Sequence, residues 1–227
     1  FYAAKTAEFK GNTYLCGWIG RAGLSSDSGV YQWAGNVLVH QLVQKEDGTL
    51  GVKAPESFSD YFTVDKLVPA APLTDGVTID GRNISLTASE GSYALADLGT
   101  RPATMTFECD LELDDSGRAG FAFGGSEKDG TFTALCLDAG EGLIHYEGYE
   151  IPDLAVYDPT AITAFDFSKT DVHHIKLVCE NEIVVLYIDD AKALSSRITH
   201  SVDGAHIAVF ADGCSATFSN IGMKVPE

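Results

Sequence analysis

No apolar run in this 227-residue chain approaches the roughly 20 residues that a helix needs to cross a bilayer, so no membrane span is expected. Basic residues are scarce: 15 Lys and Arg stand against 33 Asp and Glu, a formal charge of −18. A surface that acidic repels phosphate backbones, which argues against a nucleic-acid partner. Five cysteines cannot all pair with one another, and no C-x-x-C is present. Cys16, Cys109, Cys136 and Cys179 sit inside apolar strand patterns, and Cys214 follows a glycine turn. They read as buried free thiols rather than a disulfide frame or a zinc site. Also missing are G-x-S-x-G, H-E-x-x-H and a glycine-rich phosphate loop after a strand, so those catalytic motifs are absent. No amphipathic helix is visible. The chain opens on Phe1 with no signal-peptide pattern and reads as a cut edge rather than a natural start.

What is present is period two, in a chain whose 45% apolar content excludes disorder. Met105, Phe107, Cys109, Leu111 and Leu113 fall on one face of a strand; Thr106, Glu108, Asp110 and Glu112 fall on the other. Ala119–Phe123 follows the turn-rich Asp-Asp-Ser-Gly, so the two segments are expected to form a hairpin. Thr131–Asp138 and Leu143–Tyr146 form the next pair. His173–Cys179 alternates again, Glu-Asn-Glu turns, and Ile183–Ile188 runs continuously apolar, as a strand covered on both faces does. Ala205–Ala211 and Ala216–Val225 close the chain. Short strands at near-regular spacing predict an all-β, antiparallel sandwich of the jelly-roll or concanavalin-like kind.

The first sixty residues differ. Thr13–Ile19, Val37–Val43 and Leu50–Val52 are strand-like, separated by a glycine- and serine-rich stretch from Gly20 to Gln32. Three short strands cannot bury their faces alone. They either pack on the later sandwich or belong to a sheet completed by other strands. Pro55–Gly81 holds three prolines and reads as a wrapping connector, with the sandwich running from about Gly81 to the end.

Candidate chemistry is thin. His173 and His174 point to opposite faces of a strand and cannot easily share a metal; His173, beside Ile175 and Leu177, reads as a satisfied core histidine. Asp189-Asp190 and Asp114-Asp115 lack the spaced oxygens of an EF-hand and read as turns, with a calcium bridge between loops as the alternative. Asn83-Ile84-Ser85 fits an N-glycosylation acceptor, a pattern that also arises by chance. The two tryptophans, Trp18 and Trp33, lie near the glycine-rich stretch. Indole faces stack on sugar rings, but both residues also fit as core anchors.

Three ordered motifs at the start carry a resemblance: Phe1-Tyr2-Ala3-Ala4, then Leu15-Cys16-Gly17-Trp18-Ile19-Gly20, then Trp33-Ala34-Gly35-Asn36. Three more stand near the end: Val184–Asp190, Ser195-Ser196-Arg197-Ile198 and Ile207–Gly213. Together they resemble glycoside hydrolase family 32, the invertases, levanases, inulinases and sucrose-6-phosphate hydrolases. Val39-His40-Gln41-Leu42 departs from the family's P-R-E-L and loses its Arg and Glu.

The resemblance implies a five-bladed β-propeller carrying the active site, followed by a β-sandwich. On that map residues 1–60 are the end of the propeller, 61–80 a connector and 81–227 the C-terminal sandwich. Retaining hydrolysis needs two carboxyl groups about 5 Å apart. The family motifs W-M-N-D-P-N-G and R-D-P do not occur here, and Glu108-Cys109 spells the family's E-C only in mid-strand, with Glu108 outward. The resemblance therefore implies no catalytic residue, cofactor or metal in this segment. It places Tyr2, Trp18 and Trp33 near the parent's pocket rim as substrate-binding residues. The implied partners are the N-terminal propeller of the same protein and a carbohydrate, fructan or sucrose, with self-association when the propeller is absent. A cytoplasmic or secreted bacterial setting fits equally. An independent lectin-like module and a catalytically dead scaffold are the rival expectations.

Overall fold

The computed structural model describes residues 1–19, 36–124, 132–151, 161–198 and 205–227. Strands β1 (Tyr2–Phe9), β2 (Asn12–Trp18), β3 (Val37–Gln44) and β4 (Leu50–Lys53) form a four-stranded antiparallel meander in chain order. A four-stranded meander is the unit from which propeller blades are built. A one-turn helix, α1 (Phe58–Tyr61), leads from it into the rest of the chain. Strand β1 was not expected from the sequence. All eight of its residues are exposed and its run Tyr-Ala-Ala-Lys-Thr-Ala-Glu-Phe alternates nothing, so no burial pattern announces it.

The remainder is a sandwich of two antiparallel sheets, as the strand pattern predicts. Its further strands are β5 (Val64–Lys66), β6 (Ala71–Pro72), β7 (Val77–Asp80), β8 (Asn83–Thr87), β9 (Tyr93–Thr100), β10 (Thr104–Leu113) and β11 (Arg118–Gly124). They continue with β12 (Phe132–Asp138), β13 (Leu143–Ile151), β14 (Ala161–Ala164), β15 (Val172–Glu180), β16 (Ile183–Ile188), β17 (Lys192–Arg197), β18 (His206–Asp212) and β19 (Ser215–Val225). One sheet runs β17-β16-β15-β10-β19-β8-β7, with β5 also paired to β19; the other runs β14-β13-β12-β11-β18-β9-β6. The proline-bearing stretch read as a connector thus contributes β5 and β7 to one sheet and β6 to the other.

The expected hairpin between Met105–Leu113 and Ala119–Phe123 does not form. β10 pairs with β15 and β19 in one sheet, while β11 pairs with β12 and β18 in the other. Asp114-Asp115-Ser116-Gly117 carries the chain across the sandwich instead. Turn composition is the same for both connections; the apolar faces decide. Phe107 and Phe121 meet edge to face across the core with centroids 5.5 Å apart, a contact that facing sheets permit. Gly117 lets the crossing fit, since a Cβ there would lie 2.9 Å from Cys214 Sγ.

The core fills the gap between the sheets with Met105, Phe107, Cys109 and Leu111 from β10, Ile175, Leu177 and Cys179 from β15 and Phe218 from β19, facing Phe121 and Phe123 of β11 in the other sheet. Each such side chain contributes about 1.5–3 kcal/mol on burial. β16 is buried on both faces. Val184, Leu186 and Ile188 enter this core, while Ile183, Val185 and Tyr187 face outward beneath the meander. There they meet Ile19, Leu38, Val52, Ala54 and Phe58, which answers how the first strands hide one face.

Candidate functional site

At the open corner of the meander, Tyr2 and Trp18 stand opposite one another in the β1–β2 ladder. Their rings meet edge to face at 5.3 Å between centroids, with Tyr2 62% exposed and Trp18 half-buried. Gly17 makes the corner possible: a Cβ there would sit 2.7 Å from the Phe1 ring and 2.8 Å from the Tyr2 carbonyl oxygen. Phe1 in turn packs edge-on against His40 of β3 at 4.8 Å. The His40 Nδ1 lies 2.9 Å from the Tyr187 hydroxyl on β16, and both residues are buried. The rings of Phe1, His40 and Tyr187 thus run in sequence from the corner beside Tyr2 to the sandwich. Burial pulls the His40 pKa down to about 4. Burial raises that of Tyr187.

The structure thus brings two of the three sequence-predicted residues together, and Trp33 lies outside the described residues. His40, Tyr187 and Arg197 were not singled out from sequence as contact residues. His40 was visible only as a departure from P-R-E-L, and Tyr187 only as one apolar-run residue among six.

Glu108 and Cys109 are placed as the strand alternation predicts. The Glu108 carboxylate pairs with Lys176 Nζ at 2.7 Å on the outer surface, and Cys109 is buried with its thiol pKa pushed up by desolvation. All five cysteines are free. His173 is a satisfied core histidine: Nδ1 lies 2.7 Å from Asp189 Oδ2 and Nε2 lies 3.2 Å from the Phe167 carbonyl oxygen. Asp189 and Asp190 both take positive φ in the β16–β17 turn.

A second feature opens at one end of the sandwich, a groove of about 1010 Å³. Glu112, Asp114 and Asp115 come from the end of β10, Glu141 from the β12–β13 turn, and Asp166 and Asp171 from around the short 3-10 turn Phe167–Lys169. Phe165 and Phe167, edge to face at 4.8 Å and both partly buried, form its apolar wall beside His173. Asp114 is already engaged, accepting from the Ser215 N–H. Two hydrogen bonds from Ser168 hold the Asp166 carboxyl below its usual range. No lysine or arginine lines the groove among the described residues. Carboxylate acceptors beside half-exposed rings suit a neutral, hydroxyl-rich ligand.

No protein-family model matches the sequence, and no curated protein matches it. Solved structures do. Fructan 1-exohydrolase IIa from Cichorium intybus, in complex with 1-kestose, aligns over 100% of this chain and 48% of its own, with TM-score 0.66 and 14% identity. The GH32 β-fructofuranosidase BmSUC1 of Bombyx mori aligns over 100% of this chain and 40% of its own, with TM-score 0.56 and 18% identity. The carbohydrate binding module CBM66 from Bacillus subtilis aligns over 70% of this chain and 97% of its own, with TM-score 0.56 and 12% identity. The chain spans less than half the length of the two enzymes. At these identities the likeness is one of fold.

Proposed function

We propose that this chain is the non-catalytic C-terminal part of a fructan- or sucrose-hydrolysing protein, in which the sandwich braces a catalytic propeller. The observation that carries this reading is the half-covered meander. One face docks on β16, yet among the described residues β1 pairs with β2 alone, and Phe9, Val37 and Leu50 stay more than 60% exposed. An edge paired on one side only among the described residues fits a surface that further strands cover. The likeness in fold to two fructan- and sucrose-type enzymes, over the whole of this chain, supports the same assignment. On this reading residues 1–60 are the last blade, and Tyr2 and Trp18 shape the sugar pocket of the parent without taking part in bond cleavage.

The reading frame that precedes Phe1 tests it. The proposal expects W-M-N-D-P, R-D-P and E-C in that order; a start codon just before Phe1, or replaced carboxylates, contradicts it. The acidic, aromatic-walled groove and the likeness to CBM66 favour a second reading, a carbohydrate-binding module acting alone. Retention of the 227-residue chain on fructan resin, lost when Phe167 becomes Ala, is the outcome that selects it.

A further inference from the structure

We infer that Arg197 is a positioning residue, through which the sandwich sets the placement of Trp18 on the meander. Arg197 ends β17, and its side chain is buried to about nine-tenths. One guanidinium nitrogen, Nη1, pairs with the Glu182 carboxylate from the β15–β16 turn. The other, Nη2, reaches across the junction and donates to the Ile19 carbonyl oxygen at 3.3 Å and to Asn36 Oδ1 at 3.4 Å.

Those two acceptors are not arbitrary points on the meander. Ile19 follows Trp18 and Asn36 precedes Val37, and Trp18 and Val37 are partners in the β2–β3 ladder. The Ile19 N–H also donates to the Asn36 carbonyl oxygen at 3.4 Å. Arg197 therefore grips both strands at the ladder end where the Trp18–Tyr2 pair stands. A planar guanidinium serves three acceptors on three chain segments from two nitrogens in a fixed fork; a lysine carries its three donors on one nitrogen and lacks that span. The nine-tenths burial leaves little water to replace these bonds, so their loss is felt locally. The apolar junction holds the meander against the sandwich, and Arg197 adds the fixed position of one corner.

The inference rests on the proposed function only for its consequence, that a sugar contacts the positioned pair. The clamp itself is tested without sugar. The chain has two tryptophans, so W33F leaves Trp18 as the only one, read by exciting tryptophan selectively over tyrosine. In the W33F chain, R197Q is expected to shift Trp18 emission to longer wavelength and to increase its quenching by acrylamide. R197K is expected to give an intermediate shift, and Asn36→Ala, which removes one contact at an exposed residue, a smaller one. Far-ultraviolet circular dichroism checks that each variant stays folded. If R197Q does not fold, R197K and N36A carry the test. Folded variants with unchanged Trp18 emission and quenching overturn the clamp. A shifted Trp18 keeps the clamp even where the frame upstream of Phe1 lacks the carboxylate motifs, the outcome that removes the sugar contact.

Discussion

Tyr187 and His40 are 147 residues apart in the chain, yet the hydroxyl of one lies 2.9 Å from Nδ1 of the other. Their meeting ties the meander to the outer face of β16. Both side chains are buried, so neither has water as an alternative partner. Replacing Tyr187 by Phe leaves the His40 nitrogen without this partner and is expected to cost about 1–3 kcal/mol. The urea midpoint should fall with its slope unchanged. An unaltered midpoint contradicts a contribution from this contact.

His40 also makes the junction sensitive to acid. Its pKa is about 4 in the folded protein, against an ordinary 6.5. Between these values the unfolded chain binds the extra proton, so stability rises with pH through that window. The contribution is fully present above about pH 6.5 and is lost as pH falls towards 4, with a slope of at most about 1.4 kcal/mol per pH unit. Among the described residues the ring meets the Tyr187 hydroxyl and the Phe1 ring. Thermal melts of H40Q, compared with the parent over this range, should show a shallower pH dependence. Parallel curves contradict the assignment.

Gly51, on β4, passes close against the β16–β17 turn. A Cβ there would lie 2.2 Å from the backbone oxygen of Asp190, which has no flexible end to move aside. Gly51→Ala is expected to cost about 1–3 kcal/mol through overpacking, and to expose the link around Phe58–Tyr61 to protease before the sandwich opens. Cleavage kinetics identical to the parent contradict close packing at this point.

His173 anchors the wall of the acidic groove through Asp189, the Phe167 carbonyl and edge-on contacts with Phe165 and Phe167. His173→Ala removes a buried ring together with its hydrogen bonds and should destabilise by about 2–4 kcal/mol. Equilibrium denaturation measures this; a change within about 0.5 kcal/mol, as at an ordinary surface site, contradicts the anchoring role.

Much of the sandwich was legible because burial writes itself in alternation. Met105–Leu113 and His173–Cys179 each send every second residue into the core, and the unbroken run Ile183–Ile188 announced a strand covered on both faces. Its second cover was not legible, since nothing near Tyr187 points to His40 or Ile19. The crossing at Asp114–Gly117 was hidden because a turn that joins two sheets and one that makes a hairpin use the same residues. Strand β1 was hidden for the opposite reason: it is exposed throughout, and only its ladder to β2 defines it. At the candidate site, the motifs at the start of the chain named Tyr2 and Trp18, whereas the ladder register that sets their rings edge to face came only with the fold.

The bracing account is tested most directly by sedimentation velocity of the 227-residue chain across a range of concentrations, with parallel passage over inulin and levan resins. The β1 edge, paired on one side only among the described residues, predicts self-association that grows with concentration, and no retention on either resin. A chain that stays monomeric throughout and is retained on fructan contradicts the bracing role and leaves an independent sugar-binding module.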